Sequence, residues 1–135
     1  MEILSLILVT EKLKNMFQAT VEEMYRGEFE VGSTKFTLDI EDTSGTFAWD
    51  FPAMVEVSLG HADAVLLVFA VDDRESFEQI AFLRDMVMKT RGQDMPIVIV
   101  GNKTDRDRDR DMEKVELETV VQCDWENGYV ECSAR

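Results

Sequence analysis

The chain has 135 residues, which is the size of a single domain, and 45% of them are hydrophobic, enough to fill a modest core. Its 28 acidic and 14 basic side chains give a formal net charge of −14, so nucleic acids and anionic membrane surfaces should repel it. Two cysteines, Cys123 and Cys132, are too few for a disulfide framework and suit a reducing cytosol, where we expect both to be packing residues.

The first ten residues include a largely apolar run at positions 3–9, which is too short to span a bilayer. Glu2 stands where a secretory signal would carry positive charge, so the run is not a targeting segment. A run of this length between polar residues fits a buried strand, but its apolar positions also fit one face of a helix that continues through Lys14. The sequence leaves both structures open.

A β-hairpin is predicted next, because moderate alternation at residues 25–31 is followed by a Gly-Ser-Thr turn and clearer alternation at residues 35–42. The second strand ends in DTSG, residues 42–45. At such a terminus Asp42 can hold a magnesium ion, usually through water, and Gly45 lets a backbone N–H approach a phosphate. A turn closed by an Asx-type hydrogen bond explains the same four residues.

The middle of the chain predicts an irregular helix over residues 48–59, interrupted at Pro52, and a surface position for His61. Residues 64–71 are continuously apolar, as expected of a strand that is covered on both faces. The helix that follows should bury a stripe of residues at helical spacing. The stripe comprises Ser76, Phe77, Ile80, Phe82, Leu83, Met86 and Val87.

GNKTD, residues 101–105, follows a second buried strand at residues 96–100, so its polar side chains emerge where open α/β sheets bind ligands. The Asp105 carboxylate could accept two parallel hydrogen bonds from the ring N–H and the exocyclic amine of guanine, whereas adenine would leave it facing an acceptor. Asn102 can tie adjoining loops together, and the Lys103 stem can lie along the purine face. Taken alone, this short motif also fits an ordinary polar loop between a strand and a helix.

Three Arg-Asp repeats at residues 106–111 predict a solvated loop. Helical character follows at residues 112–122, and a short strand begins at Gly128 and leads into CSAR, residues 132–135. Strands that alternate with helices predict an α/β sheet with helices on both faces. DTSG, GNKTD and CSAR then fall at the same edge of that sheet.

The order and spacing of these segments resemble the Ras-like small GTPases over residues 17–135. DTSG is similar to that family's D-x-x-G element, GNKTD to its N-K-x-D base reader, and CSAR to its S-A-K loop. Thr20, within ATVEEMY, resembles the magnesium-binding threonine of the first switch. DTSG followed by FPAM particularly resembles the branch that contains Rhes and the dexamethasone-induced Ras proteins.

The resemblance implies a three-layer, P-loop NTPase-like fold, a mostly parallel sheet with an antiparallel edge hairpin, here one domain over residues 1–135 that is truncated at both ends. It implies a cytoplasmic signalling switch that binds GTP or GDP with Mg²⁺, the metal being held by Thr20 and Asp42. Regulators and effectors would bind residues 20–31 and 45–59. The implied nucleotide contacts are Gly45, Asn102, Lys103, Asp105, Ser133, Ala134 and Arg135.

The chain departs from the family where the phosphates would bind, because it has no G-x-x-x-x-G-K-[ST] motif and no Gly-Lys pair at all. Residues 1–16 diverge and stand in for the first strand, the phosphate loop and the first helix. Losing three or four charge-assisted hydrogen bonds of ~1.5–3 kcal/mol each removes roughly 5–10 kcal/mol, or about four to seven powers of ten in affinity. Thr46 replaces a glutamine that positions water in well-known members, so GTP hydrolysis is expected to be slow.

Two functions of different classes follow. The first is a guanine-nucleotide switch with impaired binding and hydrolysis. The second is a non-catalytic interaction module, a pseudo-GTPase or truncated form that displays residues 21–31 to partner proteins as an exposed edge. Family relatives often attach to the plasma membrane, whereas these residues stop before the family's last helix and include no prenylated cysteine motif.

Overall fold

The computed structural model describes residues 2–10, 22–44, 52–102, 110 and 112–132. The strands found in these residues are β1 (Glu2–Thr10), β2 (Glu22–Val31), β3 (Thr34–Ser44), β4 (Ala64–Ala70), β5 (Ile97–Asn102) and β6 (Gly128–Glu131). They form one sheet in the order β2-β3-β1-β4-β5-β6, and every neighbouring pair is parallel except β2 and β3. The helices are α1 (Pro52–His61), α2 (Arg74–Arg91) and α3 (Lys114–Glu118), which a π-helical turn, Thr119–Asp124, continues.

The apolar run near the N-terminus is a strand, so the helical alternative for it is wrong. β1 lies inside the sheet, parallel to β3 on one side and to β4 on the other. Ile7, for example, is in register with Glu41 of β3 and with Val65 of β4. Near-continuous apolar sequence is typical of parallel strands that have neighbours on both sides. Without β1, the sheet would separate into two parts with unpaired edges.

The β-hairpin predicted from alternation is confirmed, and both of its strands extend beyond the predicted bounds. Val31 pairs with Thr34, so Gly32 and Ser33 alone form the turn. Gly32 has a φ of 62°, a left-handed conformation that glycine adopts without steric cost. Across the pair, the Arg26 guanidinium donates two hydrogen bonds of 2.6 and 2.9 Å to the Asp39 carboxylate. These bonds hold the pKa of Asp39 below its usual range.

One expectation for the middle of the chain needs correction, and another lies partly outside the described residues. The described helix α1 covers Pro52–His61. Residues 48–51 of the predicted helix, and with them the predicted interruption at Pro52, lie outside the part of the chain that the structure describes. Strand β4 is covered on one face more than the other: Val65, Leu67 and Phe69 are buried, whereas Leu66 and the other intervening residues remain partly exposed.

Helix α2 begins at a specific cap and packs much as its spacing predicted. The Asp73 side chain accepts hydrogen bonds from the backbone N–H groups of Glu75 and Ser76, which ends the preceding strand and starts the helix. The stripe is confirmed by the buried residues Ser76, Ile80, Leu83 and Val87. Phe82 is the exception, because its side chain is 42% exposed.

The C-terminal helical region ends in a π-helical turn that is fastened to α2. The Trp125 backbone N–H donates to the Val120 carbonyl oxygen, and the Trp125 ring stacks on Phe77 with centroids 5.5 Å apart. Arg84 of α2 lies over the same ring and donates hydrogen bonds to the Trp125 carbonyl and to the Asn127 side chain. This packing places the start of β6 beside β5.

Both cysteines are exposed, which corrects the expectation that they are packing residues. Cys123 lies in the π-helical turn, and Cys132 directly follows β6, so neither contributes to the core. Among the described helices, none combines the length and the apolar character that crossing a membrane requires.

Candidate functional site

The parallel strands bring three of the polar segments singled out in the sequence to one edge of the sheet. Asn102 is the last residue of β5, Asp42 lies two residues before the end of β3, and Cys132 follows β6. The register pairs Ala70 with Asn102 and Gly101 with Glu131, so β4, β5 and β6 end level with one another, and the last residue of β3 is level with Val100, two residues before the end of β5. The predicted convergence of DTSG, GNKTD and CSAR is therefore correct for the backbone of the strands that lead into them.

The two ends of this edge are far apart. Strands β3 and β5 are separated by β1 and β4, which places them three strand spacings apart, or about 14 Å. An elongated ligand could contact the segments after both strands, whereas a single small ion could not.

Most of the predicted site side chains lie outside the part of the chain that the structure describes. Asn102 is described in full, and Asp42 is described for its backbone. Their neighbours in the motifs stay predictions from the sequence. These are Thr20, Gly45, Thr46, Lys103, Asp105, Ser133, Ala134 and Arg135.

Asn102 is fixed from both sides at the end of β5. Its carbonyl oxygen accepts a hydrogen bond of 3.0 Å from the Val71 backbone N–H, beyond the end of β4. On the other side, the Cys132 N–H donates to the Gly101 carbonyl oxygen at 2.8 Å, and the Cys132 thiol makes a weak contact of 4.0 Å with Asn102 Oδ1. The chain therefore leaves β5 and β6 side by side, and residues 103 and 133 start from adjoining positions.

A partly buried polar cluster lies beside this junction, and the sequence did not reveal it. The Arg110 guanidinium donates hydrogen bonds of 2.9 and 2.8 Å to the two carboxylate oxygens of Glu131. The Tyr129 hydroxyl donates a third, of 2.6 Å, to Glu131 Oε2. The side chains of Arg110 and Glu131 are only 12% and 13% exposed. We call Arg110, Tyr129 and Glu131 the Arg110 cluster.

The prediction that the Arg-Asp repeats are solvated is wrong for Arg110, whose side chain is only 12% exposed. The hydrogen bonds from Arg110 lower the pKa of Glu131 below its usual range. Burial and the neighbouring Glu131 raise the pKa of Tyr129. Tyr129 and Glu131 are two residues apart on a strand, so they lie on the same face of β6. That spacing was the available sequence signal, but nothing local connects it to Arg110.

Gly101 leaves the space that the cluster occupies. A Cβ atom at position 101 would lie 2.6 Å from the Tyr129 hydroxyl oxygen and 3.1 Å from Val71 Cγ1. The first of these distances is too short for any side chain, so the strand that carries GNKTD needs glycine there for close packing. The first residue of GNKTD therefore leaves room for the Tyr129 hydroxyl of the cluster.

Replacing Glu131 with glutamine should destabilise the protein at neutral pH by about 1–2 kcal/mol, because the carboxylate loses its charge-assisted bonds to Arg110. The folded-state pKa of Glu131 is lowered, so its stabilising contribution is complete above the ordinary glutamate pKa of about 4.3 and is lost as the pH falls through the folded value. The difference between wild type and Glu131→Gln should therefore shrink at acidic pH.

Urea unfolding at pH 7 and near pH 3 tests this expectation above and below the ordinary glutamate pKa of about 4.3. Glutamine does not titrate, so the difference between the two proteins isolates the Glu131 carboxyl group from the other acidic residues. An equal difference in unfolding free energy at both pH values would contradict the expected role of the Glu131 charge.

Comparison with known proteins gives the same family throughout. The model of the Ras family matches residues 3–135, a range that includes β1. The human GTP-binding protein Rhes (Homo sapiens) is 31% identical over 134 residues, which cover 92% of this chain and 50% of that protein, and the mouse protein (Mus musculus) gives the same values. The human GTP-binding protein Di-Ras1 is 31% identical over 124 residues, covering 90% of this chain and 61% of that protein.

The chain thus spans about half to three fifths of the length of these curated relatives. The family match confirms the resemblance drawn from DTSG, GNKTD and CSAR, and the strand order with its antiparallel edge pair confirms the predicted fold class. The chain belongs to the Ras family of small GTPases.

Proposed function

We propose that this protein is a guanine-nucleotide binding switch that reads the base well and holds the phosphates weakly. The observation that supports this most directly is the junction of β5 and β6, where the Cys132 backbone N–H donates to the Gly101 carbonyl oxygen and the Cys132 thiol contacts the Asn102 side chain. The segments that follow, residues 103–105 and 133–135, are the two that base recognition requires.

The base would be recognised by hydrogen bonds that only guanine satisfies. The Asp105 carboxylate accepts from the ring N–H and the exocyclic amine, and the Ala134 backbone N–H donates to the guanine carbonyl. The aliphatic stem of Lys103 covers the face of the purine. Adenine presents an acceptor to Asp105, which would leave a charged group without a partner.

The residues fit the phosphates and Mg²⁺ only in part. Thr20 and Asp42 are suitable oxygen donors for Mg²⁺, and Gly45 allows a close approach of backbone N–H to the terminal phosphate. Strand β1 ends at the same edge of the sheet, between β3 and β4, where a phosphate loop would have to begin. Residues 11–21 that follow it contain Lys12 and Lys14 but no glycine, and therefore no Gly-Lys pair of such a loop.

The weakened phosphate contacts define the activity that we propose. The loss of roughly 5–10 kcal/mol of phosphate binding leaves the base contacts as the main source of affinity. Hydrolysis of GTP would be slow, because Thr46 has no amide with which to orient water. Regulators and effectors would contact residues 20–31 and 45–59, in the cytoplasm.

A titration with mant-GDP in the presence of Mg²⁺ tests the proposal, with unlabelled GDP, GMP and ADP as competitors. We expect weak saturable binding, competition by GDP and GMP within about tenfold of each other, and none by ADP, because the second phosphate adds little. Saturation below about 1 μM would contradict the loss of phosphate binding. The absence of guanine-dependent signal at about a hundredfold higher concentration would contradict the switch altogether.

The absence of a guanine-dependent signal would favour the second candidate function, the non-catalytic interaction module. One observation supports this module. Strand β2 is the outermost strand of the described sheet, and two of its residues towards the turn, Phe29 and Val31, are 46% and 67% exposed. An exposed edge of this kind can pair with an extended segment of a partner protein. The module would bind such a partner equally well with and without added GDP.

A further inference from the structure

We propose that the Arg110 cluster positions the base-reading segments and thereby sets the selectivity of the protein for guanine. This inference rests on the proposed function, because it concerns the same nucleotide site. It assigns a role to Arg110, Tyr129 and Glu131, which would act on the base through the segments they hold rather than by contact with the nucleotide.

The chain is held on both sides of the segment that contains Lys103 and Asp105, and the Arg110 cluster makes one of the two attachments. At one end, Gly101 and Asn102 bond to Cys132. At the other end, eight residues after Asn102, Arg110 bonds to Glu131. The residues on either side of 103–109 are therefore attached to two consecutive residues, one to Cys132 and the other to Glu131, and the segment that begins at position 133 follows those two residues directly.

The attachment at Arg110 is directional and protected from water. A planar guanidinium that meets a carboxylate through two parallel hydrogen bonds fixes orientation as well as distance. Arg110 Nε also donates to the Met112 carbonyl oxygen at 2.9 Å, so the guanidinium is bound on three nitrogens. Low exposure of both partners keeps solvent from competing for these bonds.

Tyr129 connects the cluster to the hydrophobic core. Its hydroxyl shares Glu131 with Arg110, and its ring stacks on the buried Phe69 with centroids 6.3 Å apart. Phe69 in turn makes an edge contact with Phe77 of α2, with centroids 5.0 Å apart. The position of Glu131 is thus determined by the packing of β4, β6 and α2 together.

Fixed loop ends matter for selectivity because the carboxylate of Asp105 must meet two donors at once. A misplacement of even about 1 Å at such a site loses much of the bond energy. A segment whose ends are already held also loses less conformational entropy when it binds a ligand. Breaking the attachment at Arg110 should therefore weaken the binding of guanine more than the binding of adenine, which does not make the two hydrogen bonds to Asp105.

The test compares Glu131→Gln and Arg110→Lys with a control that removes an equivalent charge elsewhere. Asp39→Asn is suitable, because Asp39 also receives two hydrogen bonds from an arginine but lies in the β2-β3 hairpin, at the other end of the sheet. Amide hydrogen exchange is measured without nucleotide, and GMP and AMP affinities are measured by competition. The exchange readout does not depend on whether the protein binds nucleotide.

We expect Glu131→Gln to accelerate exchange in residues 103–109 by about tenfold, with residues 74–91 unchanged, and to lower the ratio of GMP to AMP affinity by about tenfold. Arg110→Lys should give a smaller change in the same direction, because lysine keeps the charge but loses the planar fork. Asp39→Asn should change neither quantity. If Glu131→Gln prevents folding, Tyr129→Phe removes one hydrogen bond only and takes its place.

Unchanged exchange in residues 103–109 of a folded Glu131→Gln protein would overturn the inference. An unchanged GMP to AMP ratio would also overturn it, provided that the wild type prefers GMP. A wild type without any preference for GMP would instead refute the proposed function, and with it the selectivity role of the cluster. In that case the exchange experiment still decides whether the cluster fixes residues 103–109.

Discussion

Replacing Ile7 with proline should abolish the cooperative unfolding transition of this protein. Ile7 lies in the middle of β1, with Glu41 of β3 on one side and Val65 of β4 on the other. Proline has no N–H to donate to either neighbour, and it is found in sheets almost only on edge strands or at bulges. The substitution therefore leaves an acceptor unpaired inside the sheet and pushes the neighbouring strands apart.

The expected loss is at least about 3 kcal/mol, a large part of the 5–15 kcal/mol that typically stabilises a domain. The loss is large because β1 joins the hairpin of β2 and β3 to the part of the sheet that contains β4, β5 and β6. A break at β1 separates these two parts and exposes apolar surface on each. We therefore expect aggregation or a broad, non-cooperative transition.

Urea unfolding followed by circular dichroism measures this effect, with Ile7→Val as the matched control. Valine keeps the branched side chain and the backbone N–H, so it should cost less than about 1.5 kcal/mol. A proline variant with a sharp transition at the wild-type urea concentration would show that residues 2–10 are not an internal strand. The experiment thus tests the element whose structure the sequence left open.

The strands and the hairpin could be predicted because their signals are local. Alternation on either side of a Gly-Ser pair identified β2 and β3, and apolar runs identified β4 and β5. The structure of residues 3–9 could not be decided in this way, since a run of seven residues, six of them apolar, satisfies both a strand and a helix. What decides it is pairing with β3 and β4, whose paired residues lie 34 and 58 positions further along the chain, as for Glu2 with Phe36 and Leu6 with Ala64.

Burial on a helix or in a loop was harder to predict, because it depends on partners that are distant in sequence. Arg110 stands in a repeat of alternating charges, a pattern typical of solvated chain, yet its partner Glu131 lies 21 residues away. Phe82 is apolar and fits the helical stripe, but it lies beside the buried Leu83 on a face that the described chain leaves exposed. The sequence shows residue types at each position, whereas these outcomes depend on tertiary packing.

The candidate site could be located from the sequence but not completed. The carboxyl ends of parallel strands meet at one edge, so the order of DTSG, GNKTD and CSAR was sufficient to predict their convergence. The absence of a phosphate-loop motif was also visible directly. The way in which Asn102 and Arg110 are held by residues 131 and 132 was not, because it arises from the register of β5 and β6.

Replacing Asp105 with asparagine should exchange the base preference of the protein from guanine to xanthine. The asparagine side chain has one acceptor and one donor where aspartate has two acceptors. Guanine presents two donors at this edge, whereas xanthine presents one donor and one carbonyl acceptor. The variant would face the guanine amine with its own N–H₂ group, and it would match xanthine with both of its polar atoms.

We expect the ratio of XMP to GMP affinity to rise by at least about a hundredfold, because polar sites discriminate most strongly when a mismatched group is left without a partner. Competition against mant-GDP, or ligand-observed NMR if binding is weaker, measures the ratio. Asp107→Asn is the matched control, since it makes the same change of charge two residues further along and should leave the ratio unaltered. An equal response of both variants would assign the effect to net charge, and an unchanged ratio for Asp105→Asn would mean that GNKTD does not read the base.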